Sequence, residues 1–326
     1  MKARILLVLG VAQLVAVLGL ALTASLPAAA QYPAKPVKIV IGSVAGGASD
    51  VAARIVAQSM AKSLGQPVIV ENRPGANGLI AAQAVFSAPA DGHTLLWAFA
   101  SMSAFPFLFK SSPFESLNEM TPISTTCRLP FGMYIHPGVP AANMPEFIAY
   151  ARANPGKLTY ATGPLSELMA ATQFMRATGT QMIRVPYKGG AQAITDLVAG
   201  NVQVYFTPMS QGLPFARESR LRMLATMLPE RTPLAPEVPT MKEAGLASVG
   251  FPTWNALVGP PRMPRDVADR LSREVRKALQ DKEVRAALAA QYLEPLASNP
   301  EELAAAIAEY TELWRTFVKE HDIPKE

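Results

Sequence analysis

Cysteine is almost absent from this chain. Cys127 is the single one in 326 residues, which excludes an intramolecular disulfide and every cysteine-rich zinc site. Histidine is scarce too: His93, His136 and His321 stand far apart, without metal-ligand spacing. Charged residues make up 17% against 50% apolar, the reverse of a disordered chain's balance. No dense Lys/Arg stripe with interleaved aromatics occurs, so nucleic acid is not an expected partner. No Gly-Lys-Ser/Thr follows a glycine turn and no dinucleotide spacing is met, so nucleotides are disfavoured; no other cofactor is expected. After the first thirty residues no stretch is long and apolar enough to span a bilayer. The length allows two domains of ordinary size.

What is present begins with a targeting pattern. Lys2 and Arg4 form a basic start, Ile5–Leu22 is apolar apart from Gln13 and two glycines, and Ala28-Ala29-Ala30 offers a small-residue cleavage site before Gln31. Residues 1–30 are therefore expected to be a cleaved secretory signal peptide, with an uncleaved anchor as the alternative. Losing Lys2 and Arg4 would take the net charge from +5 to about +3.

The stretch Lys38–Leu64 organises the rest. Lys38–Ile41 has strand character, Gly42–Gly47 is a small-residue turn, and Ala52, Val56, Met60 and Leu64 lie four apart on one helix face. Strand, glycine turn and helix start aim unpaired backbone N–H groups at one point, where the helix dipole also favours an anion. A small carboxylate fits better than a nucleotide; a tight turn with nothing bound is the other reading. The same logic returns at Leu158–Ala161, followed by Thr162-Gly163-Pro164-Leu165-Ser166 and a helix from about Glu167. There Ser166 reads either as the helix N-cap or as a ligand hydroxyl. Strand and helix patterns alternate throughout and predict mainly parallel sheets covered on both faces. Runs at Cys127–His136 and Pro252–Pro261 read as two crossings between domains. They divide the chain into residues 31–127 plus 250–326 for one lobe and 128–249 for the other. The end is all helix: Asn299 caps it, Pro300 starts it, and Leu303, Ile307, Tyr310, Trp314 and Phe317 form a core stripe.

Several blocks resemble the Bug family of extracytoplasmic solute receptors, the binding components of tripartite tricarboxylate transporters. They are Gly46-Gly47 with Asp50, Gly65–Ala76 with its Glu-Asn-Arg-Pro-Gly core, Pro89–Leu96, Val185–Gly190 with Asp196–Gly200, and Val238-Pro239-Thr240. The resemblance implies an α/β, two-lobed periplasmic binding protein of type II-like, Venus-flytrap build, with two interdomain strand crossings. It implies a periplasmic receptor, expected to be monomeric, that captures a small organic carboxylate and delivers it to membrane permease subunits. Its site would be Ser43, Val44, Ala45, Gly46, Gly47, Ala48, Ser49 and Asp50 from one lobe, with Ser101. Thr162, Gly163, Ser166 and Thr207 would come from the other, and no residue would be catalytic.

The chain departs from that pattern in places. Its first loop lacks the aromatic and proline before the glycines, Pro164 and Leu165 interrupt the second turn, Ala104-Phe105-Pro106 replaces a polar residue and Asn-Pro, and Thr207 stands where an Asp is common. Loss of that acid leads to the expectation that amino-acid zwitterions are disfavoured. Two other classes are weighed. A receptor serving a signalling partner would have the same sequence features. A two-lobed hydrolase or transferase would need a catalytic set, and Asp50, Glu71, Asp91 and Asp196 do not assemble one with any Ser, His or Cys.

Overall fold

The computed structural model describes residues 32–163, 165–187, 189–251, 253–320 and 325. The expected signal peptide, 1–30, lies outside the described residues. Met1–Ala34 and Lys35–Glu326 are separate compact units. In the first, only Tyr32–Ala34 are described, with a cis Tyr32-Pro33 bond. The second carries both sheets and every helix of the described residues.

Two mixed sheets, each with helices, form two lobes. Sheet one contains β1 (Val37–Ile41), β2 (Val68–Asn72), β3 (Thr94–Phe99), β4 (Thr121–Arg128), β10 (Trp254–Gly259) and β11 (Glu294–Pro295), in the order β11-β4-β10-β3-β1-β2. Sheet two contains β5 (Phe131–Ile135), β6 (Thr159–Thr162), β7 (Ile183–Pro186), β8 (Val204–Pro208) and β9 (Arg222–Thr226), in the order β7-β6-β8-β5-β9. The expectation of mainly parallel sheets is corrected. Only β2-β1-β3 and β7-β6-β8 are parallel; β10 runs antiparallel to β3 and β4, and β5 antiparallel to β8 and β9. The parallel halves are the strand–helix–strand units, whose crossover helices return the chain to run the same way. The antiparallel strands include those through which the chain enters or leaves a lobe.

The two crossings hold each other. Trp254 pairs with Arg128 at the end of β4, the Thr253 hydroxyl donates to the Leu129 carbonyl, and Met227 N–H donates to the Phe131 carbonyl at 2.9 Å. Phe251 packs edge-on against Phe131, centroids 5.6 Å apart, and next to Tyr310 at 6.4 Å. One apolar core therefore runs through the hinge from the C-terminal helix into the second lobe.

The helix Ala48–Leu64 buries Ala52, Val56, Met60 and Leu64, the predicted face. The helix Pro300–Glu320 buries Leu303, Ile307, Tyr310, Trp314 and Phe317. Its capping box is complete: Glu302 N–H donates to Asn299 Oδ1 at 2.8 Å, and Asn299 N–H to Glu302 Oε2 at 2.9 Å. Each large apolar side chain so buried contributes about 1.5–3 kcal/mol. One helix, Met209–Arg217, carries Gly212 and Pro214 within it, residues that local preference reads as loop. Gly212 is needed there, since a Cβ would stand 2.5 Å from the Tyr134 ring. A second correction concerns Ser166: the helix Leu165–Thr178 begins before it, so Ser166 lies in the first turn and is not the cap.

Candidate functional site

The loop after β1 is held from below by a carboxylate. Asp50, in the first turn of its helix, is 2% exposed. Its Oδ2 accepts from Gly46 N–H at 2.9 Å and Arg54 Nε at 3.0 Å, and its Oδ1 accepts from Asn72 Nδ2 at 2.8 Å. Asn72 also donates to the Ser43 carbonyl at 3.0 Å and accepts from Arg54 at 2.9 Å. The Asn of the Glu-Asn-Arg-Pro-Gly block thus fastens the loop at both ends. Burial alone would raise the Asp50 pKa; the bonds from Arg54, Gly46 and Asn72 outweigh it and hold it below the usual carboxylate value. Gly42 lets the loop approach the Gly75–Gly78 turn, where a Cβ would come within 2.4 Å of Gly78 Cα.

In the second lobe the turn after β6 is organised by Glu167, which is 1% exposed. Gly163 N–H donates to its Oε2 at 2.6 Å and the Tyr205 hydroxyl to its Oε1 at 2.7 Å. Burial is the dominant influence and pushes its pKa up to about 7, against opposing hydrogen bonds from Tyr205, Gly163 and Thr207. The Thr207 hydroxyl also stands 3.0 Å from Gln211 Oε1, and the Thr162 hydroxyl accepts from Arg184 Nε at 2.9 Å.

Between the lobes lies a cavity of about 290 Å³. Lobe one supplies Gly42, Asn77, Ser101 and Phe105 to its wall; lobe two supplies Ser166, Glu167 and Gln211; the returning crossing supplies Trp254 and Asn255. Tyr310 closes the wall from the C-terminal helix, with Ser166 of the opposite lobe against its phenol. Asn255 donates to Ser49 Oγ at 3.2 Å, linking the crossing to the helix start below the loop. Ser43 Oγ and Trp254 Nε1 are buried with no protein partner, and such donors are normally met by solvent or ligand. No Lys, Arg or His stands among the described lining residues.

Of the predicted site residues, Ser101 and Ser166 line this cavity. Ser43 adjoins Gly42 in the wall, and Ser49 touches it through Asn255. Val44, Ala45 and Gly46 are exposed, while Gly47 and Ala48 are half-buried at the helix start. Gly46 and Gly163 give their N–H groups to acids of the same loop. Asp50, Thr162 and Thr207 are buried behind the wall, hydrogen-bonded to Gly46, Arg184 and Gln211 respectively. The sequence reading missed Asn77, Glu167, Gln211, Trp254, Asn255 and Tyr310. Asn255 had a visible signal, a lone amide in the apolar strand Trp254–Gly259. Tyr310 had none, because it is one of five core-stripe residues. Thr207 stands where an Asp is common in the family, and Glu167, from the neighbouring turn, is a lining residue of the cavity.

The family model of the tripartite tricarboxylate transporter family receptor, TctC, matches residues 52–323. The chain belongs to this family. The TctC receptor is 33% identical over 324 residues to protein BugT of Bordetella pertussis, covering 97% of each chain. It is 33% identical over 319 residues to a UPF0065 protein of Cupriavidus necator, covering 97% of this chain and 96% of that one. Among solved structures it resembles periplasmic binding protein BugD, at 28% identity and TM-score 0.76, covering 90% of this chain and 100% of that one. MatC of Rhodopseudomonas palustris, solved with bound malate, gives 27% identity and TM-score 0.73 over 88% of this chain and 100% of its own. An R. palustris protein solved with adipate gives 25% identity and TM-score 0.78 over 88% and 97%. The fold is that of periplasmic binding proteins, and the family is one of binding proteins and not of enzymes.

Proposed function

We propose that this TctC receptor captures a small organic carboxylate in the cleft between its lobes and passes it to membrane permease subunits of a tripartite transporter. It does so as a monomer in the periplasm, after loss of the signal peptide. The observation that carries this reading is the cleft between the lobes, a mainly apolar wall set with a few hydroxyl and amide groups, among them Ser101, Ser166, Asn77 and Asn255. Trp254 Nε1 in that wall is buried without a protein partner, and Asn255 links the wall to Ser49 in the first turn of the helix Ala48–Leu64, whose dipole favours negative charge at its start. The malate and adipate bound by the two relatives belong to the same ligand class. Among the expected site residues, Ser101 and Ser166, which line the cavity, are the ones we assign to the solute.

Magnitudes require both lobes. A hydrogen bond to a charged group contributes about 1.5–3 kcal/mol and a helix terminus about 0.3–1 kcal/mol. Micromolar affinity needs about 8 kcal/mol net of ordering. One loop falls short, and closure over the ligand adds the second set of contacts while excluding water.

The test is a thermal-shift and calorimetric screen of mono-, di- and tricarboxylates, with mass spectrometry of any co-purified solute. A carboxylate at a hundredfold excess over its Kd should stabilise the protein by about 2.7 kcal/mol. If sugars or cations stabilise it and carboxylates do not, the reading fails.

A further inference from the structure

A second cavity, of about 480 Å³, adjoins the crossings and shares Thr253 and Trp254 with the cleft. It is larger than the cleft and within the size range of small-molecule sites. Its sides come from different lobes. Arg128 at the end of β4, Leu296 and Glu309 of the C-terminal helix belong to lobe one; Met227, Lys242 and Val249 belong to the chain that follows β9 in lobe two.

The walls are mainly apolar and already in place. Met227, Val249, Phe251 and Trp254 are all buried. The Phe251 ring is set by Phe131 at 5.6 Å and by Tyr310 at 6.4 Å, and the Trp254 ring by Tyr310 at 6.4 Å. Gly250 brings the backbone close to lobe two: its φ is +153°, and a Cβ there would stand 3.0 Å from the Met227 carbonyl oxygen. Its N–H donates to Gln173 Oε1 at 3.1 Å. Phe131, Tyr310 and Gln173 all stand outside the cavity, so the space does not depend on a ligand to keep its shape.

Three charged residues line it: Arg128, Lys242 and Glu309. Lys242 and Glu309 are exposed and belong to no ion pair among the described residues. Arg128 reaches Glu294 only at 3.4 Å, and Glu294 also accepts from the Thr232 hydroxyl. A guanidinium carries five N–H donors, so that one contact leaves most of them for a further acceptor. Two cations against one acid make the lining net positive. An anionic head would have Lys242 and Arg128 to meet, with an apolar body left to cover Phe251 and Trp254; a cationic head would have Glu309 alone.

We propose that this cavity binds a second ligand, an organic anion with an aromatic or alkyl body, whose head group is held by Lys242 and Arg128. Because both lobes wall the cavity, such a ligand favours the lobe arrangement that gives it this width. The inference goes beyond the reading of the cleft and does not rest on it.

The probes are naphthalene-2-sulfonate, 2-naphthalenemethanol and 2-naphthylmethylammonium, which share one apolar body and carry a negative, a neutral and a positive head. Calorimetry on the full chain should show the sulfonate binding at least about tenfold more tightly than the alcohol, and the ammonium no more tightly than the alcohol. Lys242→Glu, at an exposed position, should weaken the sulfonate at least about tenfold and change the alcohol less than about twofold. Hydrogen exchange on the wild type separates this cavity from the cleft. The sulfonate should slow amides in 225–231 and 241–251, which carry the lobe-two wall. Slowing confined to 99–106 and 208–213, which line the cleft, overturns the inference. So does equal binding of the three probes, binding of the sulfonate unchanged in Lys242→Glu, or no binding of any probe.

Discussion

The two lobes meet the cleft with the same backbone device. In each, a glycine after a strand donates its N–H to an acid four residues on, in the first turn of the following helix: Gly46 to Asp50 and Gly163 to Glu167. Both acids are almost fully buried. Their charge states nevertheless part. Asp50 has Arg54 and Asn72 beside it and is held below the usual carboxylate value. Glu167 has Tyr205 and Thr207, and burial lifts it to about 7. The loop geometry is indifferent to charge; a partner in the neighbouring strand or helix turn decides it. One lobe carries a permanent internal salt link, and the other a group that titrates in the neutral range.

That contrast can be broken from either side. The largest effect should come from pH at Glu167. Its folded-state pKa lies above its unfolded value of 4.5, so the native state keeps a proton that the unfolded chain releases. The stabilising contribution is therefore complete below about 4.5 and is lost as pH rises through about 7. Denaturant melts at pH 5 and pH 8 should differ on the order of 3 kcal/mol through this group, and Glu167→Gln should remove that difference. Asp50→Ala should come next. It leaves the Gly46 N–H and the Asn72 amide without their acceptor and frees the loop, at about 1–3 kcal/mol. Carboxylate affinity should fall by at least tenfold in calorimetry. Here the sign of the pH effect is opposite: the Asp50 contribution is present above its unfolded value of 3.8 and disappears as pH drops through the lower folded value. The smallest effect should be Tyr310→Phe, which removes one hydroxyl where the lobes meet. About 1 kcal/mol of ligand-bound stability should go, with melting of the ligand-free protein changed little.

Much of the scaffold was legible. The face Ala52-Val56-Met60-Leu64, the C-terminal stripe and the Asn299 capping box depend on spacing within one element, and spacing is what a sequence displays. The lobe-two helix Met209–Arg217 was not legible, because Gly212, which makes room for the Tyr134 ring, and Pro214 lie inside it, and local preference reads both as loop. The cleft was legible in its loops and not in its walls. Ser101 and Ser166 follow from the family resemblance. Glu167 looks like an ordinary acid at a helix start until Tyr205, from a strand thirty-eight residues away, is seen on its carboxyl. Thr207 stands where an Asp is common, and Glu167 lines the cavity from the turn beside it, a placement that no single-chain pattern displays. Mixed rather than parallel sheets follow from where the chain re-enters each lobe, a fact about the whole path.

The lone thiol has a practical sequel. Cys127 is buried, takes a contact from the Asn255 amide at 3.6 Å, and its pKa is pushed up to about 12. It is thus a poor target for maleimide dyes. Ile80→Cys on one lobe and Ile183→Cys on the other, at side chains 48% and 54% exposed, would take up a donor–acceptor fluorophore pair against a silent background. Energy transfer between them would follow opening and shutting of the jaws one molecule at a time.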